Sequence, residues 1–304
     1  MEALGSGAMG TVYRAQDLFL GRMVALKVHK KRPNAQGLRR FLQEARAAQA
    51  ISHLNIATTF DAGSEGNLYY LAMELVTGTS LASVLRNGAI PWPDAVEIIM
   101  QVTAGLGAAH RSGVMHRDLK PSNVMIGRDG IVKLVDFGLA KQIDPEDSEE
   151  VEHTIVDWAS VQTSPGAVLG TPAYMSPEQA RGRVVDARAD VFAVGVLIWE
   201  MIAGQALFRR TTPAQTLRAI LEDQAPSLAS VVGTPTWLVK LVARCLEKEP
   251  LLRFSDASHL SLTLADLSQT GVHDGPTNLA RLVAQTLGPR ISSASASPPA
   301  PAPW

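Results

Sequence analysis

Three oxygen-bearing side chains stand at fixed intervals in the middle of this chain: Asp118, Asn123 five residues on, and Asp136 thirteen beyond that. They belong to two short strings, His116-Arg117-Asp118-Leu119-Lys120-Pro121-Ser122-Asn123 and Asp136-Phe137-Gly138. An aspartate can accept or orient a proton, and an asparagine with a second aspartate offers hard oxygen ligands suited to Mg²⁺. The two strings match the template for metal-assisted phosphoryl transfer, in which positioning and charge neutralisation dominate. A solvated loop can carry His, Asp, Lys and Asn by chance. Eight matching positions followed by the second string at the right distance disfavour that reading.

Such groups need rigid elements around them. At 304 residues, with 46% hydrophobic and 19% charged content, the chain can bury a sizeable core, as one large domain or as two lobes sharing a cleft. Lys+Arg 28 against Asp+Glu 29 leaves a charge of -1, which gives no support for nucleic-acid or polybasic membrane binding. The single cysteine, Cys245, excludes an intrachain disulfide framework and fits a reducing compartment. It lies in a helical pattern, Leu238 to Leu246, so a buried core residue is expected rather than a nucleophile. Met1-Glu2-Ala3-Leu4-Gly5 lacks a signal peptide's basic start and apolar run, and the expected location is cytoplasmic. Val191 to Ala203 is too short to span a bilayer and carries Glu200; it reads as a buried core helix.

The first 72 residues look strand-rich. Thr11 to Ala15, Met23 to Val28 and Leu68 to Met73 have strand composition, and Leu38 to Ile51 reads as a helix. Residues 77 to about 268 are mostly helical in pattern, a weak helix is expected over Thr277 to Leu287, and the Ser/Ala/Pro-rich end is low-complexity.

Gly5-Ser6-Gly7-Ala8-Met9-Gly10-Thr11-Val12-Tyr13 is a GxGxxGxV loop, whose glycines let backbone N–H groups approach phosphate oxygens. A dinucleotide-binding loop begins the same way but must open a helix, whereas Thr11-Val12-Tyr13 continues as strand and makes a hairpin lid over a nucleotide. Val24-Ala25-Leu26-Lys27 places a lysine near a strand end, with Glu44 seventeen residues on in the expected helix. A lone lysine there is usually a surface residue; the surrounding strings argue otherwise.

Taken together, these strings resemble the catalytic domain of protein kinases. Gly170-Thr171-Pro172-Ala173-Tyr174-Met175-Ser176-Pro177-Glu178-Gln179-Ala180 makes the eukaryotic-like serine/threonine kinases of bacteria the most similar branch. The resemblance covers roughly residues 4 to 268. It implies an α+β, bilobal protein-kinase fold: a small β-rich N-lobe with one main helix (1–75), a larger, mainly helical C-lobe (76–268, with an activation segment 136–178), and a tail (269–304). It implies ATP and Mg²⁺ as cofactors and Ser/Thr-bearing proteins as partners. By resemblance, Asp118 accepts or orients the substrate proton, Lys120 neutralises the γ-phosphate and marks serine/threonine specificity, and Asn123 and Asp136 hold the metal. Lys27 would pair with Glu44 and reach the α- and β-phosphates. Gly5, Ser6, Gly7, Ala8 and Gly10 would form the lid; Val12 and Ala25 would pack on one face of adenine and Met125 on the other. Met73 would be the gatekeeper, and the Glu74 and Val76 backbones would bond the adenine edge. Thr171 would bridge Asp118 and Lys120, Glu178 would pair with Arg253, and Asp190 would cap the catalytic-loop backbone.

Three departures from the family pattern stand out. Little strand precedes the glycine loop, which implies an upstream start or a shortened first strand and a weaker lid. His53-Leu54-Asn55-Ile56 has leucine where proline is usual, a change expected to be tolerated. Between Asp144 and Asp157 lie seven acids and no Lys or Arg. That run reads as a solvated loop, or as part of a phosphorylation-controlled segment in which Thr163, Ser164 or Thr154 accepts phosphate and Arg117 binds it. The expected activity is that of a protein serine/threonine kinase. Its rivals are a catalytically inactive kinase-fold scaffold, disfavoured because Lys27, Asp118 and Asp136 are all present, and a small-molecule phosphotransferase, disfavoured by the peptide-docking segment Gly170 to Glu178.

Overall fold

The computed structural model describes residues 1–7, 10–29, 35–65, 68–137, 172–270 and 279–287. Strand-forming residues near the N-terminus make an antiparallel sheet from β1 (Glu2–Ser6), β2 (Gly10–Gln16), β3 (Met23–His29), β4 (Thr59–Glu65) and β5 (Leu68–Glu74), in the order β1-β2-β3-β5-β4. The first strand is therefore present and paired with β2, though it is short and all five of its residues are exposed. Helix α1 (Ala35–Gln49) packs on one face of the sheet, and Phe41 and Ala45 close over Ala25, Leu71 and Met73 in a five-residue core. Gly10 has a steric reason within the sheet: a Cβ there would stand 2.3 Å from the Val28 carbonyl oxygen.

The rest is mainly helical, as the composition predicts, with one addition. β6 (Gly78–Ser80), β7 (Val124–Gly127) and β8 (Val132–Leu134) form a small antiparallel sheet whose last two strands lie between the two chemical strings. Around it stand α2 (Leu81–Leu85), α3 (Trp92–Arg111), α4 (Pro177–Ala180), α5 (Arg188–Ala203), α6 (Pro213–Glu222), α7 (Thr236–Cys245) and α8 (Ala257–Thr270). Every residue of α5 from Ala189 to Ile202 is buried, the signature of a helix that neighbours surround on all sides. Cys245 is buried too, and burial pushes its thiol well above the usual range, which suits a packing role. A last helix, α9 (Leu279–Leu287), sets Leu279 and Val283 into the same core beside α2, β6 and β7, and Asn87 donates to the Thr286 hydroxyl at 3.2 Å. Among the described residues no helix is long and apolar enough to cross a membrane.

The His53–Ile56 turn keeps its form without proline. The Asn55 side chain donates to the Val132 carbonyl at 2.8 Å and to Gln101 at 3.0 Å, while Leu54 points to solvent.

Candidate active site

The first string forms a loop between α3 and β7, and its backbone is held from α5. Asp190, in the first turn of α5, accepts from the backbone N–H of His116 (2.8 Å) and of Arg117 (2.9 Å), and from His110 Nε2 (2.9 Å). Burial alone would raise the Asp190 carboxyl. The hydrogen bond and charge of His110, with the field of His116 and its N–H, more than offset that and hold it below the usual carboxylate range. His116 is fully buried and burial pushes its ring down, toward the neutral form. The geometry agrees: Nε2 donates to the Val135 carbonyl (3.2 Å), while Nδ1 accepts from the Asp118 N–H (3.4 Å). Its ring lies 4.7 Å from that of Phe137, tying the first string to the second.

Arg117 and Asp136 are, among the described residues, the two non-glycine positions with positive φ, at 59° and 60°. Left-handed backbone at residues other than glycine costs about 1–3 kcal/mol and persists where surrounding bonds over-determine it. Here Asp190 fixes the Arg117 N–H, and the Gln179 side chain donates to the Arg117 carbonyl at 3.2 Å. On the other side, the Val135 N–H donates to the Asn123 carbonyl at 3.0 Å, placing Asp136 beside the loop.

Within the loop, Lys120 Nζ meets Asp118 Oδ2 at 2.7 Å. The Asn123 amide nitrogen donates to the Asp118 carbonyl at 2.9 Å and to Oδ2 at 3.3 Å. That fixes the amide so that Oδ1, which accepts a long 3.4 Å bond from Ser122, is the oxygen left for a cation. The Val135–Asn123 backbone bond thus carries two residues with hard side-chain oxygens, Asp136 and Asn123, on neighbouring segments. Among the described residues no three His, Cys, Asp or Glu side chains group as a metal centre, so a Mg²⁺ ion bound by Asn123 and Asp136 would need further ligands from outside the protein.

From the sheet side, Val12 pairs with Lys27 across β2 and β3, and Ala25 pairs with Met73 across β3 and β5. The two-residue period of a strand puts Val12, Ala25, Lys27 and Met73 on one face. A Cβ at Gly5 or Gly7 would meet nothing within 4 Å, so the lid backbone borders open space. The Glu74 N–H is taken by the Thr58 carbonyl (2.8 Å), so a backbone bond from Glu74 to adenine has to be accepted by its own carbonyl. Met125, on β7 opposite Ser80, belongs to the small sheet.

One expected pairing differs. Lys27 Nζ meets Asp136 Oδ1 at 2.8 Å, while Glu44 meets the Arg117 guanidinium at 3.7 Å, in place of a Lys27–Glu44 pair. Spacing along the chain brings Lys27 and Glu44 into one lobe but does not decide which of two nearby carboxylates a long lysine reaches. Two structural pairings expected from resemblance are present. Glu178 and Arg253 form a buried bidentate pair at 2.7 and 2.9 Å, and Asp190 caps the loop. For Glu178, burial would raise the carboxyl, but Arg253 more than offsets it and holds it down. Ala8, Gly138, Thr154, Thr163, Ser164 and Thr171 lie outside the described residues.

A five-stranded lobe over a helical lobe, with Lys27 and Asp136 joined across the cleft beside Asp118 and Asn123, defines a two-lobed domain of the nucleotide-cleft class. Residues 1–263 match the family model described as the protein kinase domain, and the chain belongs to that family. It is 34% identical over 277 residues to a probable serine/threonine-protein kinase of Clostridium acetobutylicum, covering 90% of this chain and 40% of that protein. To the serine/threonine-protein kinase PknL of Mycobacterium tuberculosis it is 36% identical over 270 residues, covering 88% of this chain and 64% of PknL. The crystal structure of the M. tuberculosis PknI kinase domain superposes with a TM-score of 0.67 at 24% identity, covering 87% of this chain and 93% of that one; this likeness bears on the fold. The chain thus spans well under the full length of the curated relatives it matches.

Proposed function

We propose that this domain transfers the γ-phosphate of ATP, with Mg²⁺, to serine or threonine hydroxyls of cytoplasmic proteins. The observation that carries the reading is the cluster at the cleft: Asp118 bonded to Lys120 (2.7 Å) and Asn123 (3.3 Å), facing the Lys27–Asp136 contact at 2.8 Å. In this reading the Asp118 carboxylate orients the acceptor hydroxyl and takes its proton, and Lys120 steadies charge on the transferred group. Lys27 holds the α- and β-phosphates under the Gly5–Gly10 lid. Adenine lies between Val12 and Ala25 on one side and Met125 on the other, with Met73, Glu74 and Val76 along its edge. Mg²⁺ held by Asn123 and Asp136 supplies charge neutralisation at the phosphates.

Regulation follows from the Glu44–Arg117 contact. Autophosphorylation at Thr163, or at Ser164 or Thr154, would offer Arg117 a stronger partner than Glu44 and release Glu44 toward Lys27. The same pairing gives a second reading some footing, that of a catalytically inactive kinase-fold scaffold, because Lys27 is held by Asp136 rather than Glu44. One experiment separates them: incubation with labelled ATP, Mg²⁺ and a generic protein substrate, comparing the natural sequence with Asp136→Asn. Incorporation in the former and its loss in the latter supports the kinase; equal incorporation in both, or none in either, refutes it. Mass spectrometry of the ATP-treated protein tests the regulatory step, which fails if the activation segment carries no phosphate and Thr163→Ala/Ser164→Ala keeps full activity.

A further inference from the structure

The peptide unit immediately before Asp118 is held from a part of the chain to which the chemical strings do not point. Arg117 sits at φ 59°, and the Asp118 N–H donates back to the His116 carbonyl at 2.8 Å, closing a three-residue turn with Arg117 at its centre. Turns of this kind with a positive φ at the central residue are rare and strained. They persist only where the peptide planes on both sides of the central Cα are fixed.

One plane is fixed from α5, where Asp190 Oδ1 accepts the Arg117 N–H at 2.9 Å. The other plane carries the Arg117 carbonyl at one end and the Asp118 N–H at the other. Its carbonyl accepts from Gln179 Nε2 of α4 at 3.2 Å.

Gln179 is suited to this contact by the bonds it makes within α4. Ser176 and Gln179 form a reciprocal capping box: Ser176 Oγ accepts from the Gln179 N–H at 3.4 Å, and Gln179 Oε1 accepts from the Ser176 N–H at 2.9 Å. With its oxygen committed to Ser176, the amide turns its nitrogen to the catalytic loop, and a carbonyl there requires a donor. The root of the side chain is fixed as well. Glu178, one residue earlier, is clamped by Arg253 at 2.7 and 2.9 Å, and Ser176 is fully buried. Gln179 is thus an arm of set origin and set rotation, ending on the peptide bond that leads to Asp118.

We propose that Gln179 is a positioning residue for Asp118: its amide holds the Arg117–Asp118 peptide and, through it, the direction of the Asp118 carboxylate. The inference rests on the kinase reading above for its effect on rate, but not for its effect on the backbone. Released at the carbonyl, the peptide turns toward ordinary backbone angles, the Asp118 N–H leaves His116, and the carboxylate swings away from the acceptor hydroxyl.

A mere helix cap and a positioning residue use different halves of the amide, so two variants of the full chain separate them. At pH 8, Gln179→Glu keeps an oxygen for the Ser176 N–H but has no N–H for the Arg117 carbonyl. Gln179→Lys keeps a donor for the carbonyl and has no oxygen for Ser176. With ATP, Mg²⁺ and a generic protein substrate, Gln179→Glu should lower kcat about tenfold, with KM for ATP and Tm little changed. Gln179→Lys should show the opposite pattern, a lower Tm and most of the kcat recovered. Amide exchange followed by NMR reads the backbone without turnover: in Gln179→Glu the Asp118 amide should exchange faster, while those of α4 do not.

An unchanged kcat in Gln179→Glu, equal losses of kcat in both variants, or a KM for ATP that rises as kcat falls would each overturn the proposal. Faster Asp118 exchange in Gln179→Glu, with no phosphate transfer by the natural sequence, would support the pinned peptide and sink the kinase reading. Unchanged exchange in Gln179→Glu, with transfer by the natural sequence intact, would do the reverse.

Discussion

Asp118 and Lys27 face the same cleft from unlike supports. Behind Asp118 stands α5, buried along fourteen consecutive residues, with Asp190 gripping the loop backbone and the Glu178–Arg253 pair locking α4 beneath it. Behind Lys27 stands a sheet whose buried core is five residues, Ala25, Phe41, Ala45, Leu71 and Met73, and whose first strand is wholly exposed. The difference divides the labour of the cleft. In the proposed reading the side that positions the acceptor hydroxyl is rigid, and the side that would hold the nucleotide is the one able to rearrange, since regions with few buried apolar contacts open at the lowest free energy. The Lys27–Asp136 and Glu44–Arg117 contacts both lie where the thin side meets the rigid one.

The largest effect should come from breaking the rigid side. Arg253→Leu leaves Glu178 charged and buried without its partner, a loss of about 3–5 kcal/mol. Urea unfolding should show it, and hydrogen exchange should locate it in α4 and α5 rather than in the sheet. Acid acts on the same side with a definite sign. Glu178 and Asp190 are held below their ordinary values, so their contribution is complete above the usual carboxylate range and is lost as pH falls through the depressed values. Glu200 is raised by burial and works the other way, contributing below its ordinary value and losing that contribution as pH rises through the raised one. Stability of the helical lobe should therefore fall below about pH 4, and Glu178→Gln should flatten that fall.

On the thin side the expected changes are smaller and local. Phe41→Leu, in a core of five, should cost about 1 kcal/mol and speed exchange in α1, β3 and β5 while leaving α5 unchanged. A slowing or speeding of exchange across both lobes together would show that they unfold as one unit and break the comparison. The smallest effect on stability belongs to Glu44→Gln. The 3.7 Å contact with Arg117 is partly exposed and should be worth about 0–1 kcal/mol by thermal melting. Its effect on kcat should exceed that, if Glu44 is needed by Lys27 during turnover.

The chemical strings are legible in the sequence because phosphoryl transfer restricts residue type as well as spacing: Asp118, Asn123 and Asp136 have few substitutes. Buried helices are legible for a different reason, since Val191 to Ala203 offers water almost nothing. The features that local pattern does not signal are decided by neighbours. Thr59 to Glu65 contains Asp, Gly, Ser and Glu, poor strand formers that become β4 only by pairing with β5. The small sheet β6-β7-β8 joins segments more than forty residues apart, which no local pattern reveals.

Arg117 and Asp136, each at φ near 60°, carry a consequence for how this chain can change. Glycine at either position would relax the backbone; at Asp136 that relief is set against the loss of the 2.8 Å partner of buried Lys27, so a search for heat-resistant variants scored by folding alone would favour Arg117→Gly. The same changes delete the guanidinium and carboxylate on which the proposed chemistry depends. Improvement in folding and loss of the proposed chemistry therefore point the same way at Arg117, and a lineage that kept only its fold should lose its side chain there first.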